Sequence, residues 1–422
     1  MDDVSTYRRN LFAVTSASFI GFMGFTLVMP FLPLYFHQLG VSDVGEAALW
    51  SGLCLGVTPA LTALLSPLWG RLADRFGRKI MVERSLVSFI IVMGAMAFVT
   101  RAWHVFALRA IQGLFAGYGA LTLTMAADSA PKGKIAQAIG TEQTAPRLGP
   151  ALRPVFGGTI AALVGLRRAF LVASACYLAA AIVVLVLYQE QAHHSTAEER
   201  GDAGASVTFR SVLAFENFLL MMAVIFGLQF VDRSFGPILP LYVGVLGTTP
   251  AGIPLLSGTL FSIAAGAGAV GHHYCAALMK RLTATSVIAR ACAVAAAGAV
   301  IYVIARDVRL LFLATPLFGV AMGAGMTAAY TAAGSVIPAS ARGAGFGLLT
   351  TASLIGLALS PIVSGVLGAT SIRAVFALDV IALVVLGIVV HRMGGRGADA
   401  GGTPFADRDV ASTEEPVLGE SV

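Results

Sequence analysis

Twelve apolar stretches dominate the sequence, and each is long enough to cross a lipid bilayer as a helix. A transmembrane helix needs about 20 consecutive apolar residues. Strands of a membrane β-barrel would be about ten residues long and would alternate polar with apolar residues, a pattern these stretches do not follow. The predicted helical spans are residues 11–36, 48–69, 80–99, 103–128, 136–163, 168–188, 217–245, 253–278, 284–305, 309–335, 343–367 and 371–392.

The composition agrees with an all-α integral membrane protein in contact with the lipid bilayer. Hydrophobic residues make up 57% of the chain and charged residues only 12%, whereas a soluble domain is about 25% charged. The first apolar stretch is too long for the apolar core of a cleavable signal peptide. We therefore predict that it remains as the first span.

The basic residues between the spans fall mainly on one side of the predicted membrane. Because Lys and Arg accumulate in cytoplasmic loops, this side is predicted to be cytoplasmic and to hold both termini, in the cytoplasmic (inner) membrane. The same bias accounts for the net charge of +6, so no nucleic-acid partner is predicted. The residues on this side are Arg8, Arg9, Arg71, Arg75, Arg78, Lys79, Arg84, Lys132, Lys134, Arg200, Arg210, Lys280, Arg281, Arg342, Arg392 and Arg396.

The chain contains an internal repeat with an offset of 207 residues, so that Pro30-Phe-Leu-Pro-Leu-Tyr35 recurs as Pro237-Ile-Leu-Pro-Leu-Tyr242. At the same offset Pro131 matches Pro338, and Gly140 and Gly149 match Gly347 and Gly356. Repeated six-helix halves are typical of carriers that work by alternating access, with the substrate site between the halves. The predicted units are a first half (residues 1–188), a cytoplasmic loop (189–214), a second half (215–392) and a disordered cytoplasmic tail (393–422).

A glycine- and charge-rich motif follows the second span. It contains Gly70, Asp74, Arg75, Gly77, Arg78 and Lys79, and it resembles the loop signature of the major facilitator superfamily. The resemblance implies the major facilitator fold, with 12 transmembrane helices in two pseudo-symmetric six-helix bundles. The corresponding loop of the second half has Arg281 in place of the acid, so a one-sided motif is expected.

The resemblance also implies that this loop is a conformational latch. Its glycines permit a tight turn. Asp74 is expected to accept hydrogen bonds from the N-terminus of the eleventh span, where the helix dipole favours an anion. The basic residues are expected to bind acids at neighbouring helix ends, and Asp128 is placed for this.

Charged and polar residues inside the spans are candidate functional groups, because ionisable side chains are costly in a bilayer. Arg109 and Gln112 in the fourth span resemble a second family motif, although Arg109 could instead extend to the outer surface. Asp232 lies about 23 Å along the seventh span, and it is a candidate proton or cationic-substrate site or a structural ion pair. Arg233 points about 100° away, so each is expected to find a partner on another helix, and Gln229 is placed in the same cavity.

Three other charges in the spans, Glu142, Arg290 and Asp379, are interpreted as structural.

The fifth span carries a modified exporter motif. In the family, drug and metabolite exporters have a glycine-proline pattern that ends in two glycines, and here Arg153 replaces the first glycine. Arg147 is a cavity candidate, whereas Arg153 interrupts a small-residue stripe that the eleventh span keeps. The motif residues are Gly149, Pro150, Arg153, Pro154, Gly157 and Gly158.

These patterns predict a monomeric secondary transporter of small molecules, and no enzymatic activity. The first hypothesis is proton-coupled efflux of small amphipathic compounds. The alternative is proton-coupled import or exchange of organic anions, bound by Arg109, Arg147 and Arg233. No phosphate-binding loop and no metal-ligand spacing is recognised in the sequence, so the proton gradient is the expected energy source, without a cofactor or metal.

Overall fold

The computed structural model describes residues 2–131, 138, 141–142, 159–160, 163–189, 218–336 and 342–399. Long helices joined by short turns make up these residues. They are α1 (Asp2–Val28), α2 (Leu32–Gln38), α3 (Val44–Phe76), α4 (Arg78–Met96), α5 (Ala102–Leu114), α6 (Tyr118–Asp128), α7 (Leu166–Leu187), α8 (Phe218–Val245), α9 (Ile253–Met279), α10 (Ala284–Ile304), α11 (Val308–Val336), α12 (Arg342–Thr370) and α13 (Ile372–Asp399).

Eight candidate membrane spans lie within the described helices, judged by length and composition. The first predicted span is divided, since α1 ends at Val28 and a 3-10 turn over Met29–Phe31 precedes α2. Pro30 and Pro33 lie at the division and remove two backbone donors there. Their repeat partners Pro237 and Pro240 lie inside the unbroken α8, so proline alone does not account for the division. Most of the fifth predicted span (136–163) lies outside the described residues.

The fourth predicted span is also interrupted, at Phe115–Gly117, so the expectation of one continuous helix is wrong. Gly117 has a φ of +125°, which glycine adopts without steric cost. The carbonyls freed at the end of α5 have side-chain donors: Trp69 Nε1 donates to Leu114 O at 2.9 Å and Arg84 to Phe115 O at 3.1 Å. Such substitution of side-chain donors for helix bonds allows a broken helix in a membrane.

The two halves share a tyrosine anchor, which supports the internal repeat. The Tyr35 hydroxyl donates to Met96 O at 2.5 Å, at the end of α4. Its repeat partner Tyr242 donates to Tyr302 O at 2.6 Å, near the end of α10. In each half, therefore, the same residue of the repeat binds the terminal carbonyls of the equivalent helix.

The helices end on two sides of the molecule, which we call the basic end and the far end. The basic end contains Arg8, Arg78 and Asp128, and the far end contains Gly45, Arg101 and Thr370. At the far end, α3 of the first half packs directly on α12 of the second.

Glycines make the α3–α12 contact very close. A Cβ atom at Gly365 would lie 2.7 Å from Ala48 O and 2.9 Å from Gly52 Cα. Cβ atoms at Gly45 and Gly52 would overlap the backbone of α12 at Ala369 and Pro361. Small residues allow such backbone approach between membrane helices, so we call Gly45, Ala48, Gly52, Gly365 and Ala369 the far-end seam.

The last helix extends beyond its predicted end. The sequence predicts a disordered tail from residue 393, but α13 continues to Asp399.

Candidate functional site

The charged loop between α3 and α4 turns at a single glycine. Gly77 has a φ of +94° and separates the two helices. Gly70, also predicted to form the turn, instead lies inside α3. The helix continues through Gly70 because one residue with positive φ is sufficient to reverse the chain between two closely packed helices.

The basic residues after this turn tie three helices of the first half together. Arg78 forms an ion pair with Asp128 at the end of α6, as predicted. Lys79 Nζ donates to Leu185 O at 3.0 Å and to Tyr188 O at 2.9 Å, so it binds the C-terminal carbonyls of α7 rather than an acid of another helix. A cation at this position complements the negative end of the helix dipole.

A charge exchange tests the Arg78–Asp128 pair. Asp128→Arg places two cations together and is expected to lower transport about tenfold, equivalent to roughly 1.4 kcal/mol. The double variant Arg78→Asp/Asp128→Arg restores opposite charges and should regain most of that loss. Initial rates in membrane vesicles at matched protein levels give the measurement. A double variant no better than Asp128→Arg would show that the pair is dispensable.

Several predicted site residues cannot be placed. The side chain of Asp74 lies outside the described residues. The same is true of Arg147 and of the fifth-span motif at residues 149–158. Their predicted roles therefore stay predictions. Arg75 is exposed, and its guanidinium carbon lies 5.3 Å from the centre of the Phe76 ring.

Arg109 is completely buried inside the first half, and not extended to the surface. Its Nε donates to Cys54 O of α3 at 3.0 Å, and its Nη1 donates to Gln112 Oε1. Thr58 Oγ1 in turn donates to Arg109 O at 2.8 Å. The network joins α3 to α5. Gln112 is 1% exposed, so in this conformation neither side chain is available to a substrate from solvent.

Asp232 and Arg233 pair with each other, with Arg233 Nε 3.3 Å from Asp232 Oδ2. The prediction that each has a partner on another helix is wrong, because the long arginine side chain bends back along the helix surface. The two side chains are 43% and 53% exposed. An exposed ion pair of this kind is weak, so its carboxylate can exchange Arg233 for another cation.

The exposed side of α8 turns toward the first half. A Cβ atom on Gly236, one turn after Asp232, would lie 3.6 Å from Leu55 Cδ1 of α3. Phe235, by contrast, packs on aromatic rings of the second half, 4.7 Å between ring centres from Phe318. Gln229 is half-buried beside Gly356 of α12. Asp232 and Gly236 therefore share the face of α8 that meets the other half.

Two further carboxyl groups are buried, one in each half. Glu142 is 3% exposed and accepts a hydrogen bond from Ser18 Oγ of α1. Asp379 of α13 is completely buried, and Ser234 Oγ donates to its Oδ2 at 2.6 Å. Each carboxyl thus has a serine partner on a neighbouring helix. The third charge interpreted as structural, Arg290, is exposed.

A family model decides the relationship that the loop motif indicated. The model of the Major Facilitator Superfamily matches residues 14–315. The chain belongs to the major facilitator superfamily. It is therefore an integral membrane protein with the major facilitator fold.

Curated relatives of this facilitator carry multidrug-resistance names. A multi-drug resistance efflux pump PmrA homolog from Lactococcus lactis subsp. lactis (strain IL1403) is 34% identical over 257 residues, 61% of this chain and 62% of that protein. The multidrug resistance protein MdtG of Proteus mirabilis (strain HI4320) is 32% identical over 262 residues, 61% of this chain and 64% of that protein. The match thus spans slightly under two thirds of each relative.

Solved facilitators share the fold over most of the chain. A bacterial homolog of the human lysosomal transporter Spinster, in an inward-facing and unoccupied conformation, has a TM-score of 0.73 and 17% identity. It covers 96% of this chain and 99% of that one. The nucleoside transporter NupG has a TM-score of 0.71 and 14% identity, over 90% of this chain and 99% of that one. At these identities the likeness shows the fold alone.

Sequence reasoning missed the environment of Glu142 in this facilitator. Its partners come from other spans, so no local motif identifies them. The internal repeat carries a usable signal, because residue 349 at the same offset is leucine. Where a charged residue in one half corresponds in the repeat to an apolar residue in the other half, the fold alone does not require the charge.

Proposed function

We propose that this facilitator exports small amphipathic compounds across the cytoplasmic membrane by alternating access, in exchange for protons. Relatives at 32–34% identity are named a multi-drug resistance efflux pump homolog and a multidrug resistance protein, and these names support the substrate class. The basic end is proposed to face the cytoplasm, because Lys and Arg accumulate on that side. The far-end seam would then close the external side in this conformation, leaving the substrate site to be reached from the cytoplasm.

The observation that carries this proposal is the exposed carboxylate of Asp232 on the face of α8 that meets the first half. An acid within a membrane span is energetically costly, so its presence favours a functional role. The partner of Asp232 is the adjacent and equally exposed Arg233, rather than a buried cation that would hold it permanently. Asp232 can therefore meet a proton or the cationic part of an amphipathic compound at the junction of the halves.

Transport into inside-out vesicles with an imposed pH gradient tests the proposal. The wild type should accumulate a lipophilic cationic dye such as ethidium, and collapse of the gradient should stop accumulation. Asp232→Asn keeps the shape and removes the charge, so about a tenfold lower rate is expected, equivalent to roughly 1.4 kcal/mol.

The matched control is Asp307→Asn, which changes an exposed acid in the turn between α10 and α11 and should transport like the wild type. Undiminished transport by Asp232→Asn would exclude Asp232 as the site. Equal accumulation with and without the pH gradient would exclude proton coupling.

The alternative, import or exchange of organic anions, rests on Arg233. Arg109 is enclosed by Cys54 and Gln112, whereas Arg233 is exposed. Uptake of a carboxylate that is lost in Arg233→Gln and kept in Asp232→Asn would favour this alternative over cation efflux.

A further inference from the structure

A buried cluster of hydroxyl groups surrounds Glu142 inside the first half. Ser18 Oγ of α1 donates to its carboxyl. Thr122 of α6 forms a further hydrogen bond with the same group, and Thr15 of α1 lies beside it. Ser18 is completely buried and Thr122 is 1% exposed. The carboxyl is therefore enclosed by polar side chains from two helices and separated from bulk water.

Within the described residues, no cation pairs with this carboxyl. In the part of the chain that the structure describes, each side chain that hydrogen-bonds to Glu142 contributes a hydroxyl. Among the described residues, the titratable groups coupled to this cluster are phenols, Tyr118 of α6 and Tyr177 of α7, which are neutral near pH 7. The arginines of α1 and α7 make no interaction with the carboxyl: Arg8, Arg9, Arg167 and Arg168. Burying an ionised carboxylate without a cation is costly, so the neutral, protonated carboxyl is favoured in this conformation.

The hydroxyl partners can also accommodate the charged form. A hydroxyl both donates and accepts, and it can rotate between these roles. Ser18 and Thr122 can therefore accept the carboxyl proton, or turn to donate to the carboxylate. An arginine beside Glu142 would stabilise only the ionised carboxylate, whereas these hydroxyl partners can bind both the ionised and the protonated form.

The second half shows that the fold does not require the cluster. At the offset of 207 residues, Glu142 corresponds to Leu349, Ser18 to Ile225 and Thr122 to Ala329. All three counterparts are buried with no exposed surface. The equivalent position of the same architecture is thus filled by apolar packing. The polar cluster is an addition to one half, and structural need does not explain it.

The cluster lies close to the basic end. Thr122 is six residues before Asp128, the last residue of α6, which corresponds to about 9 Å along the helix. Asp128 itself is paired with Arg78. A carboxyl at this depth needs only a short water path to the basic end, which a movement of α1 against α6 could open.

We propose that Glu142 carries the exchanged proton, while Asp232 meets the substrate. This assignment rests on the proposed proton-coupled efflux. A proton from the external side binds the Glu142 carboxylate. The neutral carboxyl then becomes buried as the protein changes from its outward-facing to its inward-facing conformation. The O–H bond then breaks on the cytoplasmic side and the proton passes to water. One substrate leaves for each such proton, so atoms and charge balance without any other reactant.

Glu142→Gln tests this division of roles in proteoliposomes containing the full chain. Glutamine has nearly the shape of the neutral carboxyl and cannot release a proton. The variant is expected to keep ethidium counterflow at equal pH within about twofold of the wild type. It should lose at least about tenfold of accumulation driven by a pH gradient, equivalent to 1.4 kcal/mol. Asp379→Asn, at the other buried carboxyl with a serine partner, is the matched control and should keep both activities.

The first of two further measurements does not depend on Glu142→Gln folding. Ser18→Ala removes one hydroxyl beside the carboxyl. The variant should still transport, but the pH at which its transport is half-maximal should differ from that of the wild type. Ethidium binding to purified protein in weak buffer should release protons from the wild type and Asp379→Asn, but not from Glu142→Gln.

The outcomes separate this assignment from the proposed function. If a pH gradient does not drive the wild type, proton-coupled efflux itself fails. If it drives the wild type and Glu142→Gln equally, the assignment to Glu142 is overturned and the proposed function stands. Loss of a sodium-driven activity in Glu142→Gln, without any response to pH, would also overturn the assignment, since the hydroxyl cluster would then bind a metal cation.

Discussion

Gly52→Leu is expected to abolish accumulation of substrate against a gradient while leaving the protein folded. A side chain at this position would overlap Pro361 and Gly365 of α12, and both overlapping groups are backbone, which cannot rotate away. The halves should then fail to close at the far end, so the cycle stops before it returns to this conformation. Transport assays measure the loss of accumulation. The reaction of a cysteine introduced at Leu34 with a membrane-impermeant thiol reagent reports whether the far end is closed.

The control for the seam is Gly266→Leu in α9, where an added Cβ meets no atom within 4 Å. It should transport normally, and its far end should be no more reactive than that of the wild type. If Gly52→Leu transports like Gly266→Leu, close packing of α3 on α12 is not needed for the cycle.

Arg109→Met is expected to destabilise the first half. The substitution keeps an unbranched side chain but leaves Cys54 O and Gln112 Oε1 without their donor. Cys54 O keeps the backbone hydrogen bond of its helix, whereas Gln112 Oε1 becomes a buried acceptor without its donor, which costs about 1–3 kcal/mol. Thermal denaturation of the detergent-purified protein, followed by size-exclusion chromatography, should show a clearly lower midpoint.

A double variant separates lost hydrogen bonds from lost volume. Arg109→Met/Gln112→Leu removes a donor and one of its acceptors together, so part of the stability should return. An unchanged midpoint in Arg109→Met would mean that the buried network is not a stabilising element. Transport by a stable Arg109→Met variant would further show that the arginine has no direct part in coupling.

The sequence was sufficient for the architecture. Long apolar stretches predicted the membrane helices, and the recurrence of Tyr35 as Tyr242 predicted two related halves, each of which has the same tyrosine anchor. These features depend on length and repetition, which a linear chain displays directly. The loop motif predicted the ion pair of Arg78 with Asp128, because both residues belong to helix ends on one side.

The breaks within the spans were not predictable from hydropathy. An average over about 20 residues does not register a three-residue interruption, so the gap at Phe115–Gly117 was read as continuous helix. What permits it is the position of Trp69 and Arg84 on other helices. Similarly, the mutual pairing of Asp232 and Arg233 depends on side-chain conformation, which helical periodicity does not determine.

The environment of Glu142 required the third dimension. Ser18, Thr122 and Glu142 belong to three different predicted spans, and serine and threonine are ordinary residues in membrane helices. Only their convergence turns an acid near a helix end into an enclosed carboxyl with hydroxyl partners. The contrast with Leu349 was present in the sequence, but its meaning depends on knowing which residues meet.

The tyrosine anchors provide fixed distances within a moving molecule. Tyr35 is bound to Met96 within one half, and Tyr242 to Tyr302 within the other, so neither bond crosses the junction of the halves. Pairs of spectroscopic labels near positions 35 and 96 should report a constant separation under all conditions. A label pair placed across the junction can therefore be calibrated against them in the same sample.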